Sequence, residues 1–185
     1  MTTIITRSGK GSPLTHAELD ANLTNLNADK LEPDANGRIS AAGLIFPATP
    51  VPSTNVNTLD YYVEGTFTPT IEGLTTAGTG TYNVQSGRYT RVGNRVTVLI
   101  RVAITAHTGT GGMVIKGLPF TASVLSALAP LAIIPSNLTF SGMLVAYVAP
   151  NTTQINLATA ATGAGLTALA MDTVCDITVS GTYEA

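Results

Sequence analysis

The chain has 185 residues, enough for one ordinary domain and an appendage. Only 11% of them are charged against 44% apolar, the net charge is −2 and the mean hydropathy is +0.30. This balance excludes a broad electrostatic attraction to nucleic acid or to an anionic membrane, and the shortage of charge implies a surface solvated by Ser, Thr, Asn and Gly or covered by another copy.

Residues 1–32 read as a short extended start and one helix. Thr15 is followed three residues later by Glu18, just after Pro13, which is the capping-box pattern. Leu14 and Leu19 take the N′ and N4 positions of a hydrophobic staple around that cap. Leu19, Leu23 and Leu26 recur at spacings of four and three, Leu31 lies near the continuation of the stripe, and Pro33 ends it. Barely two heptads fall short of the three or four that define a coiled coil. No other helix is an evident partner, so Leu14, Thr15, Glu18, Leu19, Leu23 and Leu26 are assigned to self-association or to docking on another protein.

Residues 33–60 read as a linker, punctuated by Pro33, Pro47, Pro50 and Pro52 and by the turn cluster Asp34-Ala35-Asn36-Gly37. Prolines at this density favour stiff, extended chain.

Residues 61–185 turn to β. Thr66-Phe67-Thr68 opens the pattern, and Tyr82, Val84 and Tyr89 alternate with polar neighbours between Thr81 and Arg91. Gly93-Asn94 separates that run from Arg95–Ile104, whose Val96, Val98, Ile100, Val102 and Ile104 share one face, predicting a hairpin. Further strands are expected at Met113–Lys116, Leu131–Ile134, Thr139–Val148, Gln154–Leu157 and Cys175–Tyr183. In the last of these, Cys175, Ile177, Val179, Gly181 and Tyr183 share a face. The expected fold is mainly β: an extended segment and short helix, then an antiparallel, jelly-roll-like β-sandwich assembled as a homotrimer.

Catalytic chemistry finds little footing. No Asp or Glu lies between Glu72 and Asp172, whereas glycoside hydrolysis needs two carboxyl groups about 5 to 10 Å apart. Glu64, Glu72, Asp172, Asp176 and Glu184 remain, at the two ends of the β-region, where first and last strands can pair. His107 precedes Thr108-Gly109-Thr110-Gly111-Gly112 and lacks a nearby orienting acid, so it reads as a loop histidine. Those glycines match neither nucleotide-binding fingerprint and supply turn conformations instead. Arg88, Arg91, Arg95 and Arg101 form a basic hairpin suited to solvated faces and interchain ion pairs. The single cysteine, Cys175, excludes an intrachain disulfide, and no Cys–His set exists for zinc. No cofactor or metal is therefore expected. Met1 is followed by polar residues without a secretory pattern, and the longest apolar stretch, Val124–Pro135, is too short to span a bilayer. These features lead to an expectation of cytoplasmic synthesis.

Two stretches resemble tailed-bacteriophage tail fibre proteins. One is Gly11-Ser12-Pro13-Leu14-Thr15-His16-Ala17-Glu18-Leu19-Asp20-Ala21-Asn22 with Leu26-Asn27-Ala28-Asp29-Lys30. The other begins at Glu64-Gly65-Thr66-Phe67-Thr68-Pro69. It continues through Gly80-Thr81-Tyr82, Gly87-Arg88-Tyr89-Thr90-Arg91-Val92-Gly93, Gly109-Thr110-Gly111 and Gly117-Leu118-Pro119-Phe120. The resemblance implies a homotrimer on a virion tail. Its N-terminus would dock on other tail proteins and its β-domain would meet a host-surface glycan or protein. The long shaft or catalytic β-helix of such fibres is missing, so a short or accessory fibre is expected. Exposed Tyr and Asn in distal loops are the expected glycan contacts, which singles out His107, Tyr147 and Asn151. Three alternatives are a free-standing lectin, a polysaccharide-degrading enzyme, and an architectural adaptor or head-decoration protein without receptor contact.

Overall fold

The computed structural model describes residues 9, 11–28, 49, 53–55, 57–125 and 127–185. Most of the predicted linker, Leu31 and the side chain of Leu26 lie outside them. The chain divides into two compact units, Met1–Ile45 and Phe46–Ala185.

In the first unit, helix α1 spans His16–Ala28. It starts as the sequence predicts. The Thr15 N–H donates to Glu18 Oε2 (2.8 Å) while the Glu18 N–H donates to Thr15 Oγ1 (3.3 Å). Each side chain thus satisfies a backbone donor that the first helical turn leaves unpaired.

The second unit is one curled antiparallel sheet of ten strands. These are β1 (Tyr62–Phe67), β2 (Thr70–Gly73), β3 (Gly80–Val92), β4 (Arg95–His107), β5 (Met113–Lys116), β6 (Ala129–Ser136), β7 (Met143–Val148), β8 (Gln154–Ala160), β9 (Leu166–Ala168) and β10 (Cys175–Glu184). The strand order is β1-β3-β4-β10-β6-β7-β8-β5-β2, with β9 beside β8. The curl turns at β6, which pairs with β10 through Ala132–Ser136 and with β7 through Ala129–Leu131. A hairpin joins β3 to β4 at Gly93-Asn94, and Gly93 takes the positive φ (58°) that a tight turn asks of its first residue.

One core fills the curl. Val96, Val98, Ile100, Val102 and Ile104 of β4 are buried, as are Cys175, Ile177, Val179 and Tyr183 of β10. Ile71, Met113, Ile115, Leu131, Ala146, Val148, Ile155 and Leu157 belong to the same cluster from the other half of the sheet. The period-two alternation of β4 and β10 therefore points where the sequence indicates.

β10 lies in the middle of the sheet, between β4 and β6, rather than against the first strand. β1 and β2, at opposite ends of the order, are joined only by Thr68-Pro69. Side chains rather than a backbone ladder seal the remaining seam. The Tyr82 hydroxyl accepts the Ile71 N–H (2.9 Å) and donates to the Ile71 carbonyl (3.2 Å). His107 Nε2 reaches the same carbonyl at 2.9 Å.

A local irregularity makes this seal possible. Tyr82 pairs with Ile104 but Val84 with Ala103, so Asn83 and Thr105 have no opposite residue. Tyr82 and Val84, expected on one face, consequently point to opposite faces. Tyr82 and Tyr89, an odd number of residues apart, both turn inward.

Candidate functional site

The outward side chains of β1, β3, β4, β10 and β6 form rows across the sheet. One row runs Glu64, Thr90, Thr97 and Thr182, and the next runs Thr66, Arg88, Leu99, Ser180 and Ala132. Between these rows lies a groove of about 830 Å³, lined by Glu64, Thr66, Arg88, Thr90, Leu99 and Ser180 among others. The Thr97 and Thr182 hydroxyls, 3.0 Å apart, mark its border toward β10. Leu99 is 53% exposed there and Ile134, one row further on, 70%.

Charges on this face largely cancel within the chain. Arg101 donates through Nε (3.1 Å) and Nη2 (2.7 Å) to the two oxygens of Asp176, a forked pair across β4 and β10. That hydrogen bond from Arg101 holds the Asp176 carboxyl below its ordinary value. Arg95 meets Glu184 at 3.7 Å. Two arginines expected to serve interchain pairs therefore have intrachain ones. Arg91 points inward, its guanidinium 4.1 Å from the Tyr61 ring centre and 4.7 Å from that of Phe120. Its Nε donates to Gly93 O (2.8 Å) and its Nη2 to Ala185 O (3.2 Å), so it pins the C-terminus under the hairpin.

The residues singled out for receptor contact are not brought together by any shared hydrogen bond or ring contact. His107 is 6% exposed, and both its ring nitrogens are used. Nδ1 accepts the Gly109 N–H (2.9 Å), which leaves Nε2–H to donate to Ile71 O. Its glycine-rich neighbourhood is read correctly as turn chemistry, but the ring is a structural bridge with no nitrogen left for a ligand. Tyr147, half-buried on β7, stands between Pro130 and Asn156 on the neighbouring strands. Asn151 is exposed at the β7–β8 turn with φ 57°, and its N–H donates to Ala122 O (3.0 Å).

The carboxylates also have structural partners. Glu72 pairs with Lys116 at 2.9 Å, and Glu64 accepts the Tyr62 hydroxyl at 3.0 Å. Asp172 accepts the backbone N–H groups of Thr139 (2.9 Å), Thr173 (2.8 Å) and Val174 (3.5 Å). Partial burial alone would raise its pKa, but these hydrogen bonds outweigh it and the net shift is downward. Among the described residues, no group of three His, Cys, Asp or Glu is placed to hold a metal ion.

The helix offers a second candidate surface. Leu19 and Leu23 are 50% and 58% exposed, while Asn22 is buried. Sequence reasoning located this stripe but missed the sheet groove, because a groove made by four strands leaves no local signature. No protein family, curated protein or solved structure matches the chain.

Proposed function

We propose that this chain is a bacteriophage tail fibre structural protein. Three copies are held on the virion tail by residues 1–32 and present their β-domains to a glycan or protein of the host surface. In this reading the curled sheet is a sandwich-like, jelly-roll-like end domain with no catalytic role.

The capped helix carries the reading. The string Gly11–Asn22, which resembles phage tail proteins, includes the first turns of α1. That helix has thirteen residues, too few to persist alone in water, yet Leu19 and Leu23 stand exposed. Its apolar side calls for a protein partner, either another copy or a tail component. The second resemblance has a physical basis too, since its glycines and aromatics stack on one another across β1 and β3.

One observation favours the architectural alternative, an adaptor or decoration protein. His107 is locked inside, which removes it from the receptor contacts and leaves Tyr147 and Asn151. Gold-labelled antibody against the β-domain, applied to particles from an infected culture, tests the reading. Label at the tail, lost on deleting residues 11–28, supports a fibre; label confined to heads sinks it.

A further inference from the structure

The stretch from Gly117 to Met171 contains no charged residue, and it carries the most exposed apolar side chains described. Leu125 is 92% exposed and Val124 74%, together at a turn before β6. This turn belongs to the same face as the groove. The adjoining Ser123 N–H donates to Glu184 O (2.8 Å), and Leu125 and Leu128 border a recess with Arg95, Thr182 and Glu184. One face thus bears an uncharged apolar knob and, across the Thr97–Thr182 pair, a groove floored by Leu99. The knob does not fill its own groove, because Leu125 is almost fully in solvent.

We infer that the Val124-Leu125 turn of one copy seats in the Glu64–Arg88–Leu99 groove of a second copy of this chain. The inference rests on the trimeric reading and names its contact. A charged ligand would gain little from an uncharged knob, whereas Leu99 offers it apolar surface. The Arg88 side chain has no hydrogen-bond or ion-pair partner among the described residues and stands ready to donate to the carbonyls of an incoming turn. Knob and groove are different patches of one chain, so the contact is heterologous. It forms a closed ring if the rotation between copies closes, and three copies suffice.

Oxidative cross-linking of the full chain tests this. Cys175 is buried, so a Leu125→Cys/Thr90→Cys variant reports on the new thiols. The expected result is covalent dimer and trimer with nothing larger, and no covalent species from either single variant. Dimer from Leu125→Cys alone would mean that knobs meet each other and would overturn the inference. A monomer with an internal disulfide would put the chain's own turn in the groove and would overturn it equally. Linkage of Leu23→Cys to Thr90→Cys in place of Leu125→Cys would seat the helix there instead, again against the inference. Light scattering on the unmodified protein separates the two levels: a stable trimer without Leu125–Thr90 linkage removes this contact alone, while a monomer removes the trimeric reading too.

Discussion

Tyr89 on β3 lies against Gly65, its directly opposed residue on β1: a Cβ built on Gly65 would meet the Tyr89 hydroxyl oxygen at 2.8 Å and ring carbons at 3.0 Å. Two residues along, the relationship reverses, and Phe67 of β1 covers Gly87 of β3. Each aromatic fills the space that its opposing glycine leaves, a reciprocal cross-strand pairing. Tyr89 packs edge-on against Phe120 at 5.5 Å and tilted against Phe67 at 6.4 Å, so the rings form one wall under the sheet.

Adding a methyl group at either glycine should therefore cost stability through overpacking. Gly87→Ala is the more severe, because Gly87 is buried and its Cβ would sit 2.7 Å from the Phe67 ring. We expect a loss of about 1–3 kcal/mol, read from urea denaturation midpoints. Gly65→Ala should cost less, since the Tyr89 tip can swing toward solvent. Equal stability of Gly87→Ala and the unmodified protein would show that the ring does not pack as described.

His107 should behave as a core residue. Its removal takes the Gly109 N–H's acceptor, leaves the Ile71 carbonyl with the Tyr82 hydroxyl alone as side-chain donor, and opens a void between β2 and β4. His107→Ala is expected to destabilise by about 2–4 kcal/mol, measurable by thermal or denaturant unfolding. A neutral result would return this residue to the surface.

Much of this architecture is legible in the sequence where one face is continuous. The valines and isoleucines of β4 and the Cys175–Tyr183 alternation need only the period of two. β2 escapes such reading because Thr70-Ile71-Glu72-Gly73 offers one large inward side chain, and its place is fixed by Tyr82 and His107 from distant strands. β9 is exposed throughout and has no apolar face to announce it. Arg91 reads as one more basic residue of a hairpin, because Tyr61 and Phe120, which enclose it, reach it only through the fold. The cap of α1 is local, and so the sequence shows it.

The acid side of the stability profile should depend on Asp172. Its carboxyl titrates lower folded than unfolded, so the unfolded chain binds the proton more readily. The stabilisation is fully present above the unfolded aspartate value of about 3.9, and it is lost as pH falls through the lower folded value. Asp172→Asn keeps an acceptor oxygen but removes the charge. It should cost about 1 kcal/mol near neutrality and flatten the fall in melting temperature on acidification. An unchanged acid limb would place the relevant titration elsewhere, with Asp176 the next candidate.

Cys175 should be silent toward thiol reagents in the folded protein. Burial first, then the nearby Asp172 and Asp176 carboxylates, pushes its thiol up to about 12, and the thiolate is the reactive form. At pH 8 a free cysteine is appreciably ionised, whereas here both the charge and the access are missing. Modification by a chromogenic disulfide should therefore proceed only through opening of β10 from β4 and β6, the strands on either side of it. We expect the native rate to fall at least about a thousandfold below that of the urea-unfolded chain, the suppression tracking the opening free energy. The sign with pH is the reverse of the aspartate case. Folding holds the thiol protonated, so this group's contribution to stability is fully present below the ordinary thiol value of about 8.5 and is lost as pH rises toward the folded value. Stability should accordingly decline above about pH 8.5, and Cys175→Ala should remove this part of the decline. Rapid labelling of the native protein would mean that β10 is not the closed central strand described.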